Sequence, residues 1–222
     1  MIEPTKIIRC KRKSIALIIN NQAQLIVRAP KLTKDETIFR LIASKQKWIE
    51  QKQQIVNANN IKYAETEYKN GDVVLFLGKN YTLEFANIKE IIFSESKLYA
   101  PIKYQNNAKN YFVKWYKQQA TQILQQRLQL CASNIGANFA TFSLTNARCK
   151  WGSCSAKQDI KLSWRLVMCP MFVVDYVVAH EVCHLQFKNH QKEFWRKVAQ
   201  IYPNYKTAEK WLKSNFGLIK NL

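Results

Sequence analysis

Apolar residues recur along the first third of the chain in short runs separated by polar turns. Ile7-Ile8 through Ile18-Ile19, and then Leu25-Ile26-Val27, read as strands, with Asn20-Asn21-Gln22 as the turn of a hairpin. Thr33-Lys34-Asp35-Glu36 has the form of a capping box. It opens one helix whose apolar face carries Ile38, Leu41, Ile42, Trp48, Ile49 and Ile55. The amide-rich run from Asn57 to Asn60 is expected to end that helix. Asn70-Gly71 marks a turn, and Val73 to Leu77 and Tyr81 to Phe85 flank Gly78-Lys79-Asn80 as a second hairpin. Ile91 to Phe93 and Leu98 to Ile102 add short strands.

From about residue 100 the period changes. Phe112, Trp115, Tyr116, Ile123, Leu124 and Leu128 fall at helical spacing within Tyr111 to Leu130, and Gly136 is a stop signal. Phe139 to Leu144 and Ile160 to Trp164 read as strands around a loop that contains Trp151-Gly152-Ser153-Cys154. Pro170 suits the first turn of an apolar helix from Met171 to Phe187. Gln191 to Ile201 and Tyr205 to Phe216 form two more helices, split by Pro203. The pattern therefore predicts an α+β protein: a β-rich N-terminal region over residues 1–100 with one long helix, and a second domain over 101–222.

Composition narrows this picture. A chain of 222 residues with 47% hydrophobic and 12% aromatic residues buries a real core, which excludes a disordered chain. Lys and Arg number 35 against 15 Asp and Glu, a net charge of +20. Lysines outnumber arginines 27 to 8, a mix that an AT-rich coding sequence also produces. The excess is local: residues 51–100 hold six basic and six acidic residues, whereas 101–150 hold seven basic and none acidic. The acid-free stretch 96–158 is thus where a nucleic acid or nucleotide would bind, if the charge serves a polyanion.

The only apolar run near the N-terminus, Ser14 to Ile19, is too short for an export signal, and no stretch approaches the length of a membrane span. The six cysteines include no CxxC pair, so free thiols in a reducing cytoplasm are expected. Cys149 and Cys154 lack the tight paired spacing of a structural zinc site.

The chemistry concentrates in His180-Glu181-Val182-Cys183-His184. Residues four apart on a helix lie one turn apart on one face, so His180 and His184 are placed to share a metal ion. Glu181 projects from the flank, within reach of a water on that metal. The only other histidine is His190, six residues beyond His184. A bend at Lys188-Asn189 returns it toward the metal, since Asn tolerates left-handed backbone. Three imidazoles with an open position define a catalytic zinc site, with one ion per chain and Glu181 as the base.

WGSC at Trp151 to Cys154, SWRL at Ser163 to Leu166, DYVVAHEVCHL at Asp175 to Leu185 and NH-x3-FW at Asn189 to Trp195 resemble the YgjP-like metallopeptidases. LGKNYTL at Leu77 to Leu83 is the weaker end of that resemblance. These are predicted cytoplasmic zinc hydrolases, distantly similar to SprT-like and Wss-like proteases. The resemblance implies a zincin-type C-terminal domain with His180, His184 and His190 as ligands and Glu181 as base. Three positions depart from it: Ser163 stands where Asn is frequent, Lys150 where Arg is frequent, and Cys183 replaces a small apolar residue.

Tyr176, Lys150 and Arg165 are candidates for stabilising an oxyanion or touching substrate, and Asp175 and Glu193 for orienting the ligand imidazoles. The expected reaction is zinc-dependent hydrolysis of peptide bonds. Hydrolysis of anionic small molecules such as nucleotide phosphoanhydrides is the alternative, and a nucleic-acid-associated zinc protein a further one. A structural zinc needs neither an open position nor Glu181, which weighs against the last.

Overall fold

A computed structural model describes residues 2–20, 22–62, 67–215 and 217; for 59–62 it describes the backbone only. Asn21, expected in the first turn, and Phe216, expected at the end of the last helix, lie outside the described residues. The described residues form six α-helices and three small sheets, a mixed architecture that agrees with the α+β expectation. The chain forms two compact units, residues 1–64 and 65–220.

In the first unit, strands β1 (Lys6–Cys10), β2 (Ala16–Ile19) and β3 (Leu25–Pro30) form a sheet in the order β1-β3-β2. The β2–β3 hairpin is antiparallel, while β1 runs parallel to β3. One sheet face carries Leu25, Val27 and Ala29, which bury Ile38, Ile42 and Ile49 of the helical segment. That segment is not the single helix expected. It is two, α1 (Asp35–Ser44) and α2 (Gln46–Lys62). At the break, Lys45 leaves helical geometry (φ −111°, ψ 13°), and Ser44 Oγ donates back to Leu41 O at 2.8 Å, a bond that competes with the helical ladder. Helix α2 also runs through Asn57 to Asn60, because weak helix formers do not stop a helix without a break in backbone conformation. Thr33 makes no capping bond. Lys34 takes the N-cap position, and the Arg9 guanidinium bonds Thr33 O and the Asp35 carboxylate.

The second unit begins with four strands: β4 (Val73–Phe76), β5 (Lys79–Ala86), β6 (Ile92–Phe93) and β7 (Lys97–Pro101), in the order β4-β5-β7-β6. These strands, read from the sequence as part of the N-terminal region, are bonded into the C-terminal unit. Leu77 N donates to Val167 O at 2.7 Å, and Gly78 N to Met168 O at 3.2 Å. The 27-residue α3 (Ala108–Asn134) buries Ala108, Phe112, Tyr116, Ala120, Leu124, Leu128 and Ala132, one residue every four. Tyr116 Oη donates to Leu75 O at 2.7 Å and ties the helix to β4.

A third sheet follows, in the order β8-β10-β9, from β8 (Thr141–Thr145), β9 (Gly152–Cys154) and β10 (Asp159–Ser163). β9 forms where the sequence suggested a loop. Its register against β10 pairs Gly152 with Leu162 and Cys154 with Ile160. Trp164–Met168 make a buried 3-10 turn, and α4 (Met171–Cys183) starts immediately after Pro170. Nine of the thirteen residues of α4 are buried, as befits a helix that is apolar on most sides. It ends four residues short of the expected Phe187, and turns lead to α5 (Lys192–Ile201) and α6 (Tyr205–Ser214).

Candidate metal centre

Helix α4 places His180 and Glu181 in its last turn, and His184 is its C-cap. The chain then leaves the helix. Leu185 N and Gln186 N donate to Val182 O and Cys183 O, and the bend delivers His190 to the same spot. His180 Nε2 and His190 Nε2 are 3.1 Å apart. One ring nitrogen from each of the three imidazoles lies within 4.8 Å of the other two. Two nitrogens bound about 2.05 Å from one tetrahedral ion stand about 3.3 Å apart, so the donor set fits a single divalent ion.

Protonation favours the same use. His184 Nδ1 lies 2.9 Å from Phe187 O. A carbonyl only accepts, so Nδ1 carries the proton and Nε2 keeps its lone pair. Burial, with help from the neighbouring imidazoles, pushes the His180 pKa down to about 3. His184 is also lowered, chiefly by burial. Both rings are neutral at pH 7, the form that binds metal. Phe194 of α5, fully buried, lies under all three, with ring centroids 4.9, 4.6 and 4.7 Å from His180, His184 and His190.

Glu181 is 5% exposed. Its Oε2 is buried without a hydrogen-bond partner among the described residues. Burial pushes the carboxyl up to about 8, and the positive charge of Lys150 pulls the other way. The opposite wall is backbone. A Cβ placed on Gly152 of β9 would lie 2.5 Å from Glu181 Oε1 and 2.7 and 2.8 Å from its Cγ and Cδ. Gly152 was not singled out in the sequence; its only signal was its place in the WGSC motif.

The remaining candidates are distributed unevenly. Tyr176 is buried, with its ring edge-on to His180 at 6.0 Å. Burial foremost, and then the charge of Glu209, push its phenol up to about 12. Lys150 is exposed and close enough for its charge to act on Glu181. Arg165 is 4% exposed and stacks on the Trp164 ring at 4.3 Å; burial lowers its pKa to about 10. Asp175 Oδ1 accepts from Arg127 Nε at 2.6 Å. Glu193 pairs with Arg196 at 3.6 Å. Within the basic stretch 96–158, Lys97 is bound to Glu84 and Arg127 to Asp175, so part of that charge is neutralised locally.

The family model for the YgjP-like metallopeptidase domain matches residues 13–215. The chain belongs to the YgjP-like metallopeptidase family. No curated protein matches it. Among solved structures, the metallopeptidase zymogen of Pyrococcus abyssi abylysin is similar at 20% identity and a TM-score of 0.40, covering 45% of this chain and 98% of that one. At that level the likeness fixes neither fold nor chemistry here. Among the described residues no helix is long and apolar enough to cross a membrane.

Proposed function

We propose that the protein is a zinc-dependent peptidase that holds one zinc ion per chain through His180, His184 and His190 and uses Glu181 as general base. The observation that carries this reading is the juxtaposition of a buried carboxylate, one oxygen of which has no partner among the described residues, and three imidazoles converging within 4.8 Å. When bound, zinc supplies a Lewis acid that polarises a peptide carbonyl and acidifies water.

Glu181 takes the proton of the attacking water on Oε2 and returns it to the departing amide nitrogen. Burial favours the neutral carboxyl, while the positive charge of Lys150, joined by that of a bound divalent ion, would favour the carboxylate that a base requires. Tyr176 keeps its phenolic proton far above neutral pH and is our candidate donor to the developing oxyanion, with Lys150 and Arg165 behind it. Asp175 and Glu193 remain candidates for orienting the imidazoles. The substrate class is a peptide or protein. The six cysteines are all free, which supports a reducing, cytoplasmic setting.

Stripping metal with a chelator should abolish cleavage of an unbiased peptide library, and one equivalent of zinc should restore it. Cleavage that survives metal removal, or phosphate release from nucleotides with no peptide cleaved, would overturn the peptidase reading.

A further inference from the structure

His190 is the exposed member of the triad and sits on the bend between α4 and α5. Its position depends on what touches its ring. Besides the other two imidazoles and the underlying Phe194, that is Trp195, at 5.9 Å and 33°. The contacts continue outward and return. Trp195 stacks on Tyr205 of α6 at 5.5 Å and 25°. Tyr205 stacks on Tyr176 of α4 at 6.5 Å and 25°. Tyr176 meets His180 edge-on at 6.0 Å, and His180 meets His190 at 5.0 Å. Five aromatic rings from α4, the bend, α5 and α6 therefore form a closed circuit around one side of the metal centre.

We infer that Trp195 and Tyr205 are positioning residues that hold His190 in place as a metal ligand. The inference rests on the ligand assignment proposed above. A ligand on an unsupported bend must be ordered when metal binds, at a cost in entropy. Packing that orders it beforehand removes that cost from metal binding. Each spacing in the circuit falls within the range of favourable aromatic pairs. Neither residue is fully buried, unlike Phe194, so they can be changed without emptying the core.

The test is a double-mutant cycle on the full chain, reading zinc(II) affinity by chelator competition and the visible spectrum of the cobalt(II) form. Trp195→Ala should weaken zinc binding roughly 10- to 100-fold and shift the cobalt bands, and Trp195→Phe should recover most of the loss. Trp195 also meets His180 edge-on at 5.9 Å, so in a His190→Ala background Trp195→Ala should have a much smaller further effect. Tyr205→Leu should repeat the pattern more weakly, and it serves if Trp195→Ala fails to fold. Equal losses with and without His190, or no loss at all, would overturn the positioning role. A wild-type chain that takes up no zinc would instead overturn the ligand assignment, a distinct outcome.

Discussion

The α-carbon of Gly152 and the carboxylate of Glu181 occupy adjoining space: a single added methyl at position 152 would come within 2.5 Å of Glu181 Oε1. Strand β9 thus forms a wall of the carboxylate's site with its backbone. The same added atom would lie 2.7 Å from Cγ and 2.8 Å from Cδ, so the Glu181 side chain runs close over Gly152 along its length.

Gly152→Ala should therefore act on Glu181 rather than on the fold. No left-handed backbone angle is required at Gly152, so alanine is tolerated there except for the collision. The carboxylate must shift by a large fraction of an ångström, and misplacement on that scale lowers turnover about 100-fold. Steady-state kinetics alongside metal analysis should show the fall in kcat with zinc content unchanged. Wild-type turnover in Gly152→Ala would show that the carboxylate position is not critical.

Gly78 is the contrasting glycine. Its φ is +78°, and a Cβ there would lie 2.7 to 2.9 Å from Pro170 at the start of α4. Gly78→Ala meets both backbone strain and overpacking, so it should cost about 2–3 kcal/mol, which lowers Tm by roughly 5–10 °C. Thermal melts with an unchanged Tm would mean that the β4–β5 turn and α4 do not meet as described.

Asp175 is bonded to Arg127 at 2.6 Å, and this separates two roles for it. If that bond is its main task, Asp175→Asn should cost about 1 kcal/mol, as expected of a partly exposed pair, and leave zinc affinity within about twofold. A tenfold loss of zinc affinity would instead place its carboxylate in support of an imidazole.

The metal-free protein should be acid-sensitive in a defined window. The folded-state pKa of His180 lies at about 3, below its ordinary value of 6.5. The unfolded chain therefore binds more protons between these values, and stability is lost as pH falls from about 6.5 toward 3. Over that range the wild-type Tm should fall on the order of 5–10 °C more than that of His180→Asn. Parallel pH dependence in the two proteins would contradict the burial of this imidazole.

Much of the centre was legible because its geometry is local. His180 and His184 are one helical turn apart; the bend that returns His190 does pass through Asn189, but the helix already ends at Cys183 and Asn189 does not take the left-handed backbone expected of it. Glu181 beside Gly152 was not legible, since 29 positions separate them along the chain and only the packing of α4 against β9 brings them together. β9 escaped notice because Gly-Ser-Cys has no apolar alternation; pairing with β10 defines it. The helix break at Lys45 is a local change of backbone conformation beside the Ser44–Leu41 bond, which the apolar pattern running through it does not signal. The strands from Val73 to Pro101 were read correctly as strands, but their attachment to the C-terminal unit comes from long-range backbone bonds at Leu77 and Gly78.

The most direct measurement is metal content and peptide cleavage of Glu181→Gln beside the wild type. Glutamine keeps the shape and the contact with Gly152 but accepts no proton, so the variant should retain about one zinc per chain and lose at least about 100-fold in kcat. Glu181→Gln that binds zinc and cleaves peptides at the wild-type rate would contradict the assignment of Glu181 as the base.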